Sequence, residues 1–303
     1  MGYRFSGTGS VEICRWTKNA LTKRGVCYKQ TFYGVPTHRC MELTPSTLFC
    51  DNNCIYCWRP AEFMGLPKDV DWTKPKKMVE NLILKRKALL MGFKGNPHTD
   101  PKLFDEAIHP VHFAISLSGE PTLYPRLSEL ISCLKQRFDL FSIFLVTNGQ
   151  KPEVLKALDP LPTQLYLSIT APNAELYKKI SVPLEKHPWE NLMESCRFLS
   201  KAPTRTVLRV TFIKNFNMIN LEGWASVIKQ ANPHFVEFKG YSWIGRSRDR
   251  MNLKDVPTQK EVEKFAEEIM KNLDYQLINK HERSRIVLYQ NQKRLIDPLI
   301  TSP

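Results

Sequence analysis

The chain has 303 residues and is strongly basic, with 44 Lys and Arg against 30 Asp and Glu and a formal net charge of +14. Its length lies between one and two domains, and 42% hydrophobic residues suffice for a sizeable core. No apolar run approaches the roughly 20 residues that cross a bilayer, and no signal-peptide pattern opens the chain, so we expect a cytoplasmic protein without a membrane partner. Composition alone fits a polyanionic partner and an ordinary solvated surface equally well.

The first forty residues form a polar segment that carries Cys14, Cys27 and Cys40. We treat residues 1–40 as an N-terminal extension, 41–275 as the main domain and 276–303 as a C-terminal tail. Positions thirteen apart do not share one helical face, so a common site for these cysteines would have to be assembled by tertiary structure. On spacing alone, unrelated buried thiols explain them slightly better than a second site.

Residues 41–275 alternate apolar, β-branched runs with helical stretches, a pattern typical of α/β proteins with a buried parallel sheet. Strands are predicted at 42–49, 112–117, 141–146, 164–169, 207–213 and 235–238. Helices are predicted at 78–91, 127–138, 190–199, 221–230 and 258–273. About six β/α units follow, which indicates an α/β fold in the form of a partial (β/α)6 barrel of the TIM type. One or two edge strands are expected after Tyr275.

Three cysteines, Cys50, Cys54 and Cys57, follow the first predicted strand with the spacing C-x3-C-x2-C. One short loop of this spacing can deliver three thiolates to an iron–sulfur cluster and leave the fourth iron open for chemistry. A structural zinc ion needs a fourth protein ligand, and none lies near enough in sequence to close a compact site, so the spacing favours a cluster. Ligand sites gather at the carboxyl ends of parallel strands, which predicts the cluster at the barrel mouth.

The cysteine motif, with Tyr56 before its last cysteine, resembles the signature of the radical S-adenosylmethionine (SAM) superfamily. The resemblance implies that Tyr56 lies at the cofactor, that the open iron binds SAM, and that one electron from the cluster releases a 5′-deoxyadenosyl radical. Ser118, Gly119 and Glu120 follow the second predicted strand and resemble the superfamily's Gly-Gly-Glu element, which binds the SAM amino group. Alternatively, these three residues form a turn that places Glu120 near a helix N-terminus, where the helix dipole favours an acidic side chain.

Further SAM contacts are expected at the later strands. Asn148 and Ser168 suit ribose hydroxyl groups, and the guanidinium of Arg209 suits the SAM carboxylate. Turn chemistry explains the first two residues equally well, and a structural ion pair explains Arg209 equally well.

Short blocks in the first sixty residues narrow the resemblance to one family. The runs 27–29, 32–34, 37–40 and 50–59 look like those of the archaeal tRNA 4-demethylwyosine synthases, which build the tricyclic base of wybutosine. The resemblance covers essentially the whole chain. Eukaryotic members carry an additional flavodoxin-like domain for which 303 residues leave no room, so the resemblance implies a separate electron donor of the flavodoxin or ferredoxin type.

The family resemblance also implies a second [4Fe–4S] cluster on Cys14, Cys27 and Cys40, with pyruvate bound at its open iron. Lys29 matches the lysine proposed to form a Schiff base with pyruvate. A lysine attacks a carbonyl only as the free amine, whereas a net-negative cluster favours the ammonium, so burial or Arg39 would have to oppose the cluster. The implied substrate is N1-methylguanosine-37 of phenylalanine tRNA, which must leave the anticodon stack.

The implied reaction joins the methyl carbon of that guanosine to pyruvate carbons and closes the 4-demethylwyosine ring. The positive charge would then bind tRNA phosphates, and Trp58, Tyr241 and Trp243 would stack on bases or pack in the core. Two other function classes stay open at this point. A radical SAM enzyme for a small molecule would need no basic surface, and a zinc-stabilised RNA-binding module would contain zinc and catalyse nothing.

Overall fold

The computed structural model describes residues 2–301, so Met1 of the predicted extension and Ser302 and Pro303 of the predicted tail lie outside the described residues. The strands are β1 Arg4–Ser6, β2 Gly9–Glu12, β3 Cys40–Thr44, β4 His112–Ile115, β5 Ser142–Thr147, β6 Gln164–Ile169, β7 Arg205–Phe212, β8 Phe235–Gly240, β9 Tyr275–His281 and β10 Ile286–Asn291. The helices are α1 Arg15–Leu21, α2 Tyr28–Tyr33, α3 Pro75–Lys94, α4 Pro101–Ala107, α5 Leu127–Lys135, α6 Pro152–Lys156, α7 Ala174–Ser181, α8 Pro188–Leu199, α9 Leu221–Ala231 and α10 Gln259–Met270.

All ten strands belong to one sheet, and the six from β3 to β8 pair in parallel with their neighbours in chain order. The β1–β2 hairpin extends the sheet antiparallel beyond β3. At the other side β10 pairs antiparallel with β8, and β9 is outermost. Helices connect the parallel strands, so the predicted α/β fold with a partial (β/α)6 barrel is confirmed.

The parallel strands are buried on both faces, which is why their sequences read as apolar runs. On one face, Leu145 of β5 belongs to the main core together with Trp224 of α9 and the other long helices. On the opposite face, Phe144 and Phe235 pack against Tyr33 of α2. Each large apolar side chain buried in this way contributes about 1.5–3 kcal/mol. The sheet therefore lies between the connecting helices and the short helix α2.

The N-terminal extension is packed into the sheet. Besides the strand pairing of its hairpin, Tyr33 of α2 donates a hydrogen bond to the buried carboxylate of Glu237 on β8, at 2.7 Å. Arg86 of α3 is fully buried and donates to the carbonyl oxygens of His38 and Cys40. These contacts fix the segment before β3 against the barrel.

The structure corrects the extent of several predicted elements. The first strand ends at Thr44 and does not reach residue 49, because Pro45 has no amide hydrogen for the ladder and residues 46–49 form a turn. Helices α1, α2, α4, α6 and α7 have five to eight residues each, too few for a periodic pattern to reveal them. The two tail strands are present, although only β9 forms an edge. In the described part of the chain, no helix is both long and apolar enough to cross a membrane.

Candidate active site

The cysteine loop, Cys50 to Cys57, follows the carboxyl end of β3 and has a fixed backbone. Cys50 N donates to the carbonyl oxygen of Gly65 at 3.0 Å. Arg250 donates to the carbonyl oxygens of Ile55 and Cys57. The loop cysteines form no disulfide bond. The loop therefore presents three free thiols from an ordered backbone.

These thiols open into a cavity of about 210 Å³, called here the loop cavity. Five of the expected cofactor-binding residues line it, namely Tyr56, Gly119, Glu120, Asn148 and Ser168. They come from the cysteine loop and from the carboxyl ends of β4, β5 and β6. The parallel sheet thus brings together residues that are up to 118 positions apart, counted from Cys50 to Ser168.

Glu120 is the buried acid of the loop cavity and accepts hydrogen bonds from Thr147 Oγ1 at 2.6 Å and Asn148 N at 2.8 Å. Burial, and then the charge of Asp51, raise the pKa of Glu120 to about 7. Asp51 is also buried and accepts from the side-chain amide of Asn148. Asn52 Oδ1, which lines the loop cavity, and Asp51 Oδ2, which does not, are buried without a hydrogen-bond partner among the described residues. A small cationic donor such as an ammonium group fits the acceptors that Glu120 and Asn52 present to the cavity.

Ser118 and Gly119 hold the turn that precedes the cysteine loop. The hydroxyl of Ser118 donates to the carbonyl oxygen of Thr47 at 2.8 Å, and its side chain does not line the loop cavity. Gly119 has a φ of +66°, and a Cβ atom there would overlap the carbonyl oxygens of Ser46 and Phe49. Glycine is therefore required at position 119 by close backbone contact.

Arg209 does not lie at the loop cavity, where a contact with the SAM carboxylate was expected. Its side chain does not line the loop cavity, and Nε donates to the buried carboxylate of Glu237 at 2.9 Å. A second nitrogen donates to the hydroxyl of Tyr28 at 2.6 Å. Arg209 and Glu237 are directly paired in the register of β7 and β8, so the guanidinium is held by an ion pair within the sheet. Arg209 therefore lines the extension cavity and not the loop cavity.

A second cavity of about 400 Å³, the extension cavity, is lined by Cys14, Cys27 and Cys40. Cys14 and Cys27 precede α1 and α2 as N-cap residues, and Cys40 begins β3. The fold thus assembles three thiols that sequence spacing alone leaves unconnected. Burial raises the pKa of the Cys27 thiol to about 11, while the Lys29 ammonium acts in the opposite direction. A positively charged metal centre would stabilise the thiolate forms in such a site.

Within residues 2–301, no three Cys, His, Asp or Glu side chains converge closely enough to hold a single metal ion. The thiols that bind an iron–sulfur cluster each reach a different iron atom, so they need not converge on one point. The finding is compatible with a cluster at either set of cysteines.

Two lysines extend into the extension cavity. Lys29 Nζ lies 5.3 Å from the ring centroid of Phe144, and Lys239 Nζ lies 5.6 Å from that of Tyr28. Burial, and then the charge of Arg209, lower the pKa of Lys239 to about 8. Arg39 does not line this cavity, because its Nε donates to the carbonyl oxygen of His109. Lys239 and Arg209 are therefore the cationic neighbours that Lys29 meets, and Arg39 is not.

The two cavities are adjacent. Both are lined by the same four residues, Tyr56, Trp58, Ser116 and Val146. A reactive species formed in the loop cavity therefore has a short route to a molecule held in the extension cavity.

A groove of about 540 Å³, the entrance groove, adjoins the extension cavity and shares Cys14 and Lys239 with it. Three tryptophans line the groove, and each carries an arginine over its ring: Arg283 over Trp16 at 5.4 Å, Arg59 over Trp58 at 4.5 Å, and Arg248 over Trp243 at 5.1 Å. Tyr241, expected from the sequence as a third stacking residue beside Trp58 and Trp243, is buried and donates to Ser247. Trp16 takes that place in the groove.

Comparisons with known proteins identify the family. Residues 44–228 match the model of the radical SAM superfamily, and residues 230–291 match a model described as wyosine base formation. The chain is 43% identical to the S-adenosyl-L-methionine-dependent tRNA 4-demethylwyosine synthase of Pyrococcus abyssi, over 95% of this chain and 84% of the relative. The chain belongs to the tRNA 4-demethylwyosine synthase family. It is a wyosine-forming radical SAM enzyme, a class that uses SAM and a [4Fe–4S] cluster.

Other members of the synthase family agree with this assignment. The Methanocaldococcus jannaschii synthase is 36% identical over 98% of this chain and 95% of the relative. The Xenopus laevis synthase is 39% identical over 96% of this chain but only 40% of the relative, so it is much longer. A solved structure of TYW1 with a lysine–pyruvate adduct bound has a TM-score of 0.89 and 35% identity, covering 98% of this chain and 95% of that one. The small-molecule and zinc-module alternatives are not favoured by these matches.

Three residues in or beside the synthase site are absent from the sequence-based expectations. Asp51 is hidden between the motif cysteines, and Trp16 lies in a helix too short to be predicted. Lys239 follows Glu237 by two positions on β8, so both side chains face the same side of the sheet. Two charged residues at alternate positions of an otherwise apolar strand were the signal in the sequence that could have located Lys239.

Proposed function

We propose that this enzyme makes 4-demethylwyosine from N1-methylguanosine-37 of phenylalanine tRNA and pyruvate, with a [4Fe–4S] cluster in each cavity. The observation that carries the proposal is the adjacency of two three-cysteine cavities, which share Tyr56, Trp58, Ser116 and Val146. Two adjoining cavities suit a reaction that joins a carbon of one substrate to a carbon of another.

In the loop cavity, Cys50, Cys54 and Cys57 would bind the first cluster, and SAM bound beside it would supply the carbon-centred radical. The Glu120 carboxylate and Asn52 Oδ1 are the proposed acceptors for the SAM amino group, since both line the loop cavity and Asn52 Oδ1 has no hydrogen-bond partner in the described part of the chain. Asn148 links Glu120 to the buried carboxylate of Asp51 through its backbone and side-chain N–H groups. Ser168 and Tyr56 line the same cavity and are proposed as further contacts to SAM.

In the extension cavity, Cys14, Cys27 and Cys40 would bind the second cluster and pyruvate would lie beside Lys29. We propose that the Lys29 amine attacks the keto carbon of pyruvate and that the resulting Schiff base forms with loss of water. The lysine–pyruvate adduct seen in a solved relative supports this role. Lys239 is proposed to pair with the pyruvate carboxylate, because no described carboxylate lies within 4 Å of its amine, whereas Arg209 is occupied by Glu237.

The entrance groove is the proposed path for the extruded guanine. Trp16, Trp58 and Trp243 offer ring faces, and stacking of a base on an aromatic side chain is worth about 1–3 kcal/mol. The arginines over these rings provide positive charge for the neighbouring phosphates. Aromatic rings and arginines together are what single-stranded RNA requires, and the anticodon loop presents its bases unpaired.

The direct test uses phenylalanine tRNA that carries N1-methylguanosine, with SAM, a reductant and pyruvate labelled with carbon-13. We expect mass spectrometry of the digested tRNA to show labelled 4-demethylwyosine. Unmethylated tRNA is the control and should yield no product, because the carbon that becomes the bridge is then missing. Product without incorporated label would exclude pyruvate as the carbon donor, and no product with either tRNA would contradict the proposed function.

Charge reversal at the entrance groove should weaken tRNA binding. For Arg283→Glu, at an exposed arginine that lines the groove, we expect a clear loss of affinity and a log–log salt slope that is smaller by about one unit per lost phosphate contact. The matched control is Lys264→Glu, which makes the same change of charge at an exposed, unpaired position of α10 outside the groove. Filter binding across a salt series measures both. Equal effects of the two variants would show that the groove has no specific part in binding tRNA.

A further inference from the structure

The outer side of the cysteine loop carries exposed apolar side chains that line none of the three cavities described above. Leu48, Phe63, Leu66, Val182 and Leu184 are between 40% and 75% exposed, and we call these five residues the loop face. Exposed apolar residues that cluster in this way mark an interaction site more often than an ordinary surface.

Backbone hydrogen bonds tie two segments of the loop face to the cysteine loop. On one side, Cys50 N donates to Gly65 O at 3.0 Å, next to Leu66. On the other side, Asn53 N donates to Val182 O at 3.1 Å and Leu184 N donates to Asp51 O at 2.8 Å. The loop face is therefore connected directly to the backbone that holds the three thiols.

The loop face is positive on the side of Val182 and Leu184. Lys178 and Lys186 are exposed there and have no carboxylate within 4 Å in the part of the chain that the structure describes, and Glu185 between them pairs with Lys151. On the side of Leu66, the exposed Asp69 and Asp71 offset Lys68, and Glu62 pairs with Arg246. An apolar centre with free lysines on one side fits a partner whose rim is acidic on the matching side.

We propose that the loop face docks a small, acidic one-electron carrier protein of the flavodoxin type, which reduces the cluster held by the cysteine loop. The proposal rests on the proposed function, which requires an electron for each cleavage of SAM. One electron leaves the carrier, which is oxidised by one unit, and enters the cluster, which is reduced by one unit; no bond forms or breaks in this step. Electron transfer slows steeply with distance, so the surface directly behind the thiols is the favoured point of contact.

The size and position of the loop face suit such a partner. Redox encounters are small, burying less than about 1,200 Å² in total, and a patch of five apolar residues bordered by two free lysines is of that order. The entrance groove is lined by other residues, so a carrier on the loop face leaves the proposed tRNA path open. Donor and tRNA could then occupy the enzyme at the same time.

The test compares Phe63→Asp and Leu184→Asp with the control Phe138→Asp. Phe138 is fully exposed and lies between α5 and β5, before the amino-terminal end of a parallel strand, whereas the cysteine loop follows the carboxyl end of β3. The first readout is binding of a purified, oxidised acidic flavodoxin to each protein by calorimetry, with and without clusters. We expect binding about tenfold weaker or more for the two loop-face variants and unchanged binding for the control. Lys186→Glu should also weaken binding, and more so at low salt.

The second readout separates docking from catalysis. With reduced flavodoxin, SAM cleavage by the loop-face variants should be slower, whereas with dithionite, which needs no docking site, it should equal that of the wild type. The proposal would be overturned if the loop-face variants cleaved SAM equally slowly with both reductants, or if Phe138→Asp lost as much activity as they do. It would also be overturned if these variants bound tRNA more weakly at unchanged flavodoxin affinity, or if their oligomeric state changed. Failure of the wild type to form product with dithionite would instead contradict the proposed function and leave the binding comparison to decide the docking site.

Discussion

Cys54→Ala is expected to abolish SAM cleavage, whereas Cys27→Ala should still cleave SAM reductively and form no 4-demethylwyosine. The two thiols lie in different cavities, Cys54 in the loop cavity and Cys27 in the extension cavity. Loss of one of three ligands disrupts the cluster that they share, and each cavity is proposed to have its own task. Chromatography of 5′-deoxyadenosine and of the digested tRNA measures both activities in the same reaction.

The control for this pair is Cys196→Ala. Cys196 is fully buried in α8 and lines neither cavity, so this variant removes a thiol without touching either set of ligands. It should keep both activities, apart from a modest loss of stability from the small void. If Cys27→Ala lost 5′-deoxyadenosine as completely as Cys54→Ala while remaining folded, the division of tasks between the cavities would be wrong.

Lys29→Ala is expected to lower turnover by roughly a hundredfold or more while tRNA affinity changes little. Lys29 lies in the extension cavity and outside the entrance groove, so its loss should affect the orientation of pyruvate and not the contact with RNA. Borohydride added during wild-type turnover should trap labelled pyruvate on Lys29, detectable by peptide mass spectrometry. Single-turnover kinetics and filter binding give the other two quantities.

Two further variants separate covalent attachment from ion pairing. Lys29→Arg keeps a positive charge but cannot form the Schiff base, so it should be nearly as inactive as Lys29→Ala. Lys239→Gln should raise the KM for pyruvate and still allow trapping at Lys29, since Lys239 is proposed to act on the carboxylate. Wild-type turnover by Lys29→Ala at every pyruvate concentration would show that this lysine is an ordinary cavity residue.

The parallel sheet could be predicted from the sequence because its strands are buried on both faces. The run at 164–169 coincides with β6 at both ends, since a continuous apolar segment between turns leaves little choice of boundary. The short helix α2 could not be predicted, because its six residues are stabilised by Phe144 and Phe235 from distant strands. Tertiary contacts and not local propensity decide that segment.

Only the residues of the candidate site that belong to short sequence motifs or follow predicted strands could be predicted. The spacing of Cys50, Cys54 and Cys57 requires one loop, and the fold brings Glu120 and Asn148 to it at strand ends, as expected. The placement of Arg209 at the extension cavity could not be predicted, because a strand position fixes which face of the sheet a side chain is on but not which cavity it lines. The register with β8 decides this, and register between strands is set by the whole sheet.

Iron and acid-labile sulfide per chain, measured after anaerobic purification and reconstitution, test the two-cavity account most directly. The account predicts about eight iron atoms in the wild type, and about four in each of two triple variants, Cys14/Cys27/Cys40→Ala and Cys50/Cys54/Cys57→Ala. Mössbauer spectra should assign all of the iron to [4Fe–4S] clusters. About four iron atoms in the wild type, with no further loss when Cys14, Cys27 and Cys40 are replaced, would contradict the second cluster and with it the proposed division between the cavities.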